Sequence, residues 1–334
     1  MKSRTTILFI LFTAAVAVLF AADIAVGSVS IPIRDVWAAL TGGECDPTTA
    51  RIIRDIRLMK AVVALVAGAA LAVSGLQMQT LFRNPLAGPY VLGVSSGASL
   101  GVALFILGAP MAGLTGHAWL SSLGVAGAAW IGAAAILALI AAISTRIKDI
   151  MVILILGIMI SSGVSAIVQI LQYLSAEEAL KSFVVWTMGS LGDVTATQLA
   201  LLLPAVAAGA ALGVAAIKSL NMLLLGENYA RSMGLDLRRS RSIILLSTTL
   251  LAGTVTAFCG PIGFIGLAMP HVARVIFRNA DHRTLMPAAA LTGAASLLLC
   301  DMVAKLLALP VNSITALLGI PVVVWVVVRN RNIV

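Results

Sequence analysis

Three ionisable side chains lie in or at the ends of apolar stretches: Asp23, Asp301 and Lys305. Ionisable groups in such segments mark proton, ion or substrate chemistry by default. Asp301 and Lys305 are four residues apart, so on one helix they can pair. An intrahelical ion pair near the outer interface accounts for both, and a proton-coupled carrier would need more buried acids than these. His271 follows Pro270 and precedes Arg274 at the start of an apolar run. It is either a ligand or proton carrier or a structural group at a helix N-terminus. The lack of a carboxylate at i±3 or i±4 favours the structural role. Cys45, Cys259 and Cys300 are scattered, which implies neither a disulfide framework nor a metal site. No Gly-x4-Gly-Lys-Ser/Thr loop occurs, so the chain does not itself hydrolyse ATP, and no catalytic residue is expected. One stripe remains. Ser161, Ser165, Gln169 and Gln172 share a helical face, with Ser162 and Tyr173 beside them. Such a stripe faces either a cavity or another helix, and Tyr173 could instead be an interfacial anchor.

The elements that must hold these residues are membrane helices. The chain has 334 residues, 60% hydrophobic and 10% charged, with a mean hydropathy of +1.08. That composition excludes an ordinary water-soluble domain. Charge-free stretches run over 5–22, 61–82, 84–145, 150–176, 194–217, 242–273, 284–300 and 306–328. A span needs ~20 apolar residues. The stretch 84–145 therefore holds two spans, separated near Gly108–His117, and 242–273 holds one span and the start of another. Ten spans are predicted, at 5–26, 61–81, 90–108, 119–143, 150–174, 197–217, 242–259, 264–278, 285–308 and 314–328. The whole of 1–334 reads as a single all-α integral membrane domain. The first apolar run is too long for a signal core and has no clear cleavage site, so it reads as a retained span. Small-residue clusters at 67–70, 97–99 and 126–129 predict close helix packing.

The net charge of +9 could suggest nucleic acid, but sorting the charge by side gives another reading. With the N-terminus inside, one face collects Lys2, Arg4, Arg83 and every Lys and Arg from Arg146 to Arg331 except Lys181 and Lys305. The positive-inside rule then puts both termini in the cytoplasm. Two long helices break with Gly and Pro and then resume, at Asn84-Pro85 and at Gly260-Pro261, with Pro270 following. Matched breaks in the two halves predict an inverted repeat of spans 2–5 and 7–10.

The segment 219–241 is too polar to span, yet Gly226 and Gly234 punctuate two short pieces with apolar side chains at helical spacing. It is either an interfacial helix pair or a docking platform for a cytoplasmic partner. Outside, 28–60 mixes basic and acidic side chains, and 175–197 carries an amphipathic patch at 183–188.

These residues together resemble the permease subunits of type II ABC importers for ferric siderophores, heme and cobalamin, over essentially the whole chain. The matching motifs are Gly68 to Gly75, Gln79 and Arg83-Asn84-Pro85-Leu86-Ala87, then Leu92-Gly93 and Ser96-Gly97-Ala98. They continue with Gly226 to Arg231, Met233-Gly234, Gly260 to Leu267, Pro270-His271, Arg274, Asp281-His282-Arg283, Pro287 and Asp301. The chain closes with Leu309-Pro310-Val311, Thr315 and Leu318-Gly319-Ile320-Pro321.

The resemblance implies a homodimer with the path at its axis, in a bacterial cytoplasmic membrane. It also implies two cytoplasmic ATPase subunits that bind ATP-Mg, and a periplasmic or lipid-anchored binding protein that delivers the chelate. The permease itself would hold no covalent cofactor and no metal, and no nucleic acid is implied. By the same resemblance, 219–241 would be the coupling helices, with Leu225, Gly226, Glu227, Asn228, Tyr229, Arg231, Met233 and Gly234 at the ATPase. Arg57, Lys60 and Lys305 would receive acidic residues of the binding protein. Lys60 and Lys305 stand where arginine is frequent, and a lysine offers a point charge rather than a fork. The alternatives are an ATPase-independent secondary transporter of a metal or metabolite, which leaves the coupling-like element unexplained, and a non-transporting scaffold, which needs no broken helices.

Overall fold

The computed structural model describes residues 2–27, 29–108, 122–144, 147 and 150–329. Most of the expected turn at Gly108–His117 lies outside the described residues, as do Arg146, Lys148 and Arg331. Among the described residues every regular element is helical. In chain order they are α1 (Lys2–Ala25), α2 (Ile33–Thr41), α3 (Pro47–Leu81), α4 (Val94–Gly108), α5 (Ser122–Ser144), α6 (Ile150–Leu174) and α7 (Glu177–Thr187). Then come α8 (Ala196–Ala215), α9 (Ile217–Leu223), α10 (Glu227–Ser232), α11 (Leu237–Cys259), α12 (Ile265–Phe277), α13 (His282–Leu307) and α14 (Val311–Arg329).

Among the described residues six helices are long and apolar enough to cross a membrane: Arg4–Ala25, Pro47–Leu81, Ile150–Leu174, Ala196–Ala215, Leu237–Cys259 and His282–Leu307. Val94–Gly108, Gly124–Ile140, Ile265–Phe277 and Val311–Val326 are shorter apolar helices. The 13 residues of α12 rise only ~20 Å, less than a bilayer core. That is the length expected of a helix that begins at a break.

α3 starts well before the expected span. Asp46 caps it by accepting from Thr49 N at 3.0 Å, Pro47 takes the first turn, and a π-helical stretch carries Ile52–Leu58. Hydropathy excluded this segment because of its charges, but capping and helical backbone bonds continue the helix through them. α11 also contains a π-helical stretch, at Thr249–Gly253.

Close approaches at glycines set the packing, two of them reciprocal. Gly68 on α3 lies against Gly293 on α13, and a Cβ on either would collide with the other's carbonyl. Gly97 on α4 meets Gly132 on α5 in the same way. In lipid, helix association depends on such dispersion contacts because burial of apolar surface offers little. Gly127, by contrast, has open space before it, and its neighbours Ala126 and Ala129 are the buried residues of that cluster. α11 is the most enclosed long helix. α6 is among the least, with 22% of its apolar window covered.

Both breaks are non-helical. Residues 82–93 leave α3 through Arg83 at φ 48° and enter α4 through Gly93 at φ 77°. Asn84 organises this turn by accepting from Leu86 N at 2.9 Å, while its own N–H bonds Gln79 O at 3.1 Å. Residues 260–264 leave α11 through Gly260 at φ 73° and enter α12 through Phe264 at φ 65°. Asn312 on α14 accepts from Gly263 N at 2.9 Å. Pro270, expected as part of the break, lies inside α12, which continues through it. A proline in the second turn forfeits one backbone bond, and the buried packing around it keeps the helix whole.

Candidate functional site

The polar stripe faces a cavity. Ser161, Ser162, Ser165 and Gln169 on α6 line a space of about 520 Å³ with Tyr90, Val91, Ser95 and Ser96 from the first break and α4. Gln172 does not line it, and Tyr173 is 89% exposed. Ser161 donates to Gly157 O at 2.7 Å and Ser162 to Ile158 O at 3.0 Å, so both hydroxyls bond back to their own helix. They present lone pairs and little donor capacity. Tyr90 OH accepts from Thr256 on α11 at 3.3 Å, which ties this wall to the chain's centre. Among the described residues no carboxylate, imidazole or thiol lines the space. The described lining is thus uncharged and weakly polar. Tyr90, Ser95 and Ser96 were missed in the sequence because their alignment with α6 depends on how the 82–93 turn folds back.

The outer basic residues are placed differently from the expectation. Arg57 is buried. Its guanidinium donates to Ile24 O at 3.2 Å, to Ala25 O at 2.7 Å and to Val29 O, which caps the end of α1. Here it is a structural clamp, with its guanidinium N–H groups taken up by backbone carbonyls. The reason is that the end of α1 presents carbonyls with no intrahelical partner, and the guanidinium supplies the missing donors.

Lys305 is also largely enclosed. It pairs with Asp301 at 2.8 Å, with the Asp23 carboxylate at 2.9 Å and with Asp23 O at 3.0 Å. Lys60 completes the cluster at 3.1 Å from Asp301. The expected Asp301–Lys305 pair is present, and it extends to α1 and α3, which sequence spacing did not suggest. Of the three basic residues, Lys60 is the half-exposed one. It lines a cavity of about 340 Å³ with Lys305, Ser190 and Pro310.

The 219–241 segment is a built element. Gly226 at φ 100° and Gly234 at φ 83° bracket α10. Glu227 pairs with the buried Arg241 at 2.6 Å, and Ala230 is fully buried, so one face of α10 is locked to the chain. Tyr229 on α10 is 56% exposed, as are Leu225 (62%) and Met233 (43%) in the turns flanking it, with Asn228 and Arg231 beside them. At the other end, Asn221 donates to Asp281 at 2.7 Å and accepts from His282 N at 2.9 Å. The Arg283 N–H and the Asn221 amide hold the Asp281 carboxyl below its ordinary value.

His271 is 5% exposed and bonds Pro85 O through Nε2 at 2.7 Å. Arg274 donates to Gln79 at 2.6 Å. The structural reading of His271 therefore fits its partners: it ties α12 to the first break. Among the described residues no group of three His, Cys, Asp or Glu side chains could hold a metal ion.

Apolar helices interrupted at two breaks, a weakly polar groove and a short pinned helix between them are the architecture of a multi-pass membrane protein. The FecCD transport family matches residues 14–329, and the chain belongs to it. It is similar to the hemin transport system permease protein HmuU of Yersinia pestis, with 38% identity over 314 residues, covering 91% of this chain and 90% of that one. It is 36% identical over 280 residues to the vitamin B12 import system permease protein BtuC of Escherichia coli O9:H4, covering 83% of each. A solved chain described as a metal-chelate type ABC transporter in an inward-facing conformation superposes with a TM-score of 0.82 and 31% identity, over 96% of this chain and 99% of that one. The chain is thus an ABC importer permease.

Proposed function

We propose that this permease imports a bulky metal chelate, such as a ferric siderophore, heme or a corrinoid, across the bacterial cytoplasmic membrane. Two copies form the path at their shared axis, and two cytoplasmic ATPase subunits bind and hydrolyse ATP-Mg. A periplasmic or lipid-anchored binding protein delivers the chelate. Ten spans with an inverted repeat and cytoplasmic termini complete this reading. Four shorter apolar helices beside six long ones are compatible with it.

One observation carries the ATP-driven reading: Tyr229 on α10 and Leu225 and Met233 in the turns flanking it are exposed, while Glu227–Arg241 and Ala230 lock the other side of the element. A rigid apolar surface of this kind suits a partner that must transmit force. A secondary transporter would leave it without an occupant. The neutral groove of Ser161, Ser165 and Gln169 suits a large cargo that must be released. Lys60 is the residue best placed to meet an acidic binding protein.

The test is Tyr229→Asp with Met233→Asp, which puts two charges into the contact. The expected result is a folded permease that no longer co-purifies with its ATPase. Full co-purification and uptake would reject the reading. A panel of hemin, cobalamin and ferric siderophores in the reconstituted complex identifies the cargo.

A further inference from the structure

The 219–241 segment meets the end of α3 through one short line of side chains. Asn221 Nδ2 donates to Asp281 Oδ1 at 2.7 Å. A carboxylate at neutral pH only accepts, and this orients the Asn221 amide. Its Oδ1 therefore faces His282, accepting from the backbone N at 2.9 Å and from ring Nδ1 at 2.8 Å. With the ring proton on Nδ1, a neutral His282 has an acceptor at Nε2. Thr80 Oγ1 lies 2.9 Å from Nε2 and equally close to Leu76 O, so its single hydroxyl proton is shared between the ring and its own helix. His282 is 1% and Thr80 3% exposed, so water cannot replace either bond.

The residue before Thr80 continues the line. Gln79 accepts from Arg274 at 2.6 Å and donates to Leu267 O at 3.0 Å, and His271 holds Pro85 O at 2.7 Å. Polar contacts thus join 219–241 to Thr80, and the adjacent Gln79 continues to the 82–93 turn through Arg274 and His271 and through its own carbonyl, which accepts from Asn84 N.

We propose that Asn221 is a positioning residue for transport. Through His282 and Thr80 it carries displacement of the 219–241 segment to the last turn of α3 and the 82–93 turn. This inference rests on the reading of 219–241 as the ATPase contact. Spatial continuity alone does not establish coupling, so the test reads movement rather than stability.

Leu86 is 44% exposed on the 82–93 turn, and a cysteine there reports its accessibility in the reconstituted permease–ATPase complex. Cys45 is replaced by Ser, and the remaining cysteines are buried. With wild-type Asn221, trapping ATP should change the labelling rate at least about fivefold. Asn221→Leu should reduce that change below about twofold with the ATPase still bound. The reciprocal exchange of Asn221→Asp with Asp281→Asn keeps the 221–281 and 221–282 bonds, gives up only the Arg283 N–H bond to position 281, and should restore the response. An undiminished response in Asn221→Leu overturns the inference. No response in the wild-type complex, or no complex at all, fails the ATPase reading instead. If Asn221→Leu does not assemble, Thr80→Val breaks the line at its other end and is judged by the same criterion. Loss of assembly in both makes the line purely structural and overturns the positioning role.

Discussion

Replacing Lys305 with Met separates a structural lock from a docking site. The Lys305 ammonium lies 2.8 Å from Asp301, 2.9 Å from the Asp23 carboxylate and 3.0 Å from Asp23 O. Both carboxylates are fully buried. With Lys60 the cluster has two cations and two anions, and it is neutral as a whole. Met keeps most of the volume and removes one positive charge. Asp301 then retains Lys60 at 3.1 Å, but Asp23 loses its ion-pair partner. Removing one member of a buried pair costs about 3–5 kcal/mol, because the remaining charge stays desolvated. On a protein stable by ~5–15 kcal/mol that is a large fraction.

The assay is thermal unfolding in detergent, followed by a thiol-reactive dye at the buried Cys259 and Cys300. Lys305→Met should lower Tm by at least about 5 °C. Adding Asp23→Asn removes the orphan charge and should recover most of the loss. An unchanged Tm in Lys305→Met would refute the lock. So would a double variant no better than the single, if both bind the binding protein more slowly than wild type. That pattern is the one a free docking lysine would produce.

The 219–241 joint should be insensitive to mild acid. The Asp281 carboxyl is held below its ordinary value of 3.8 by the Arg283 N–H and the Asn221 amide. A depressed folded-state pKa contributes stability that is complete above the unfolded value and is lost as pH falls through the folded one. Binding of the ATPase measured at pH 7 and pH 5 should therefore agree, and loss at pH 5 would contradict the assignment. Topology is checked by cysteine labelling in oriented vesicles: Asn84→Cys should react from the cytoplasmic side and Leu309→Cys from the outside. Gly260 is unsuitable for this, because its positive φ and the Trp186 carbonyl exclude a side chain. Labelling of both sites from one side would refute the inverted arrangement.

The amino-acid sequence by itself determined where the helices run and where they break. Apolar stretches set the helices, because a backbone in hydrocarbon must satisfy its own hydrogen bonds. Gly and Pro set the breaks at 82–93 and 260–264. Glycine-flanked apolar spacing marked 219–241, and four-residue spacing marked Asp301–Lys305. Each of these is a local rule, readable within a few residues.

Tertiary structure decided the rest. The charges at 47–60 looked like a loop, yet a cap and helical bonds make them the first turns of α3. Arg57 and Lys305 looked like a free basic rim. Arg57 instead satisfies carbonyls about thirty residues away, and Lys305 reaches Asp23, 282 positions earlier. Asn221 finds His282, and Thr80 finds the same ring, across 61 and 202 positions. The physical reason is the same throughout. A polar group removed from water needs a partner, and sequence shows the need but not the partner. Only the packing of α1, α3, α9 and α13 brings the two together.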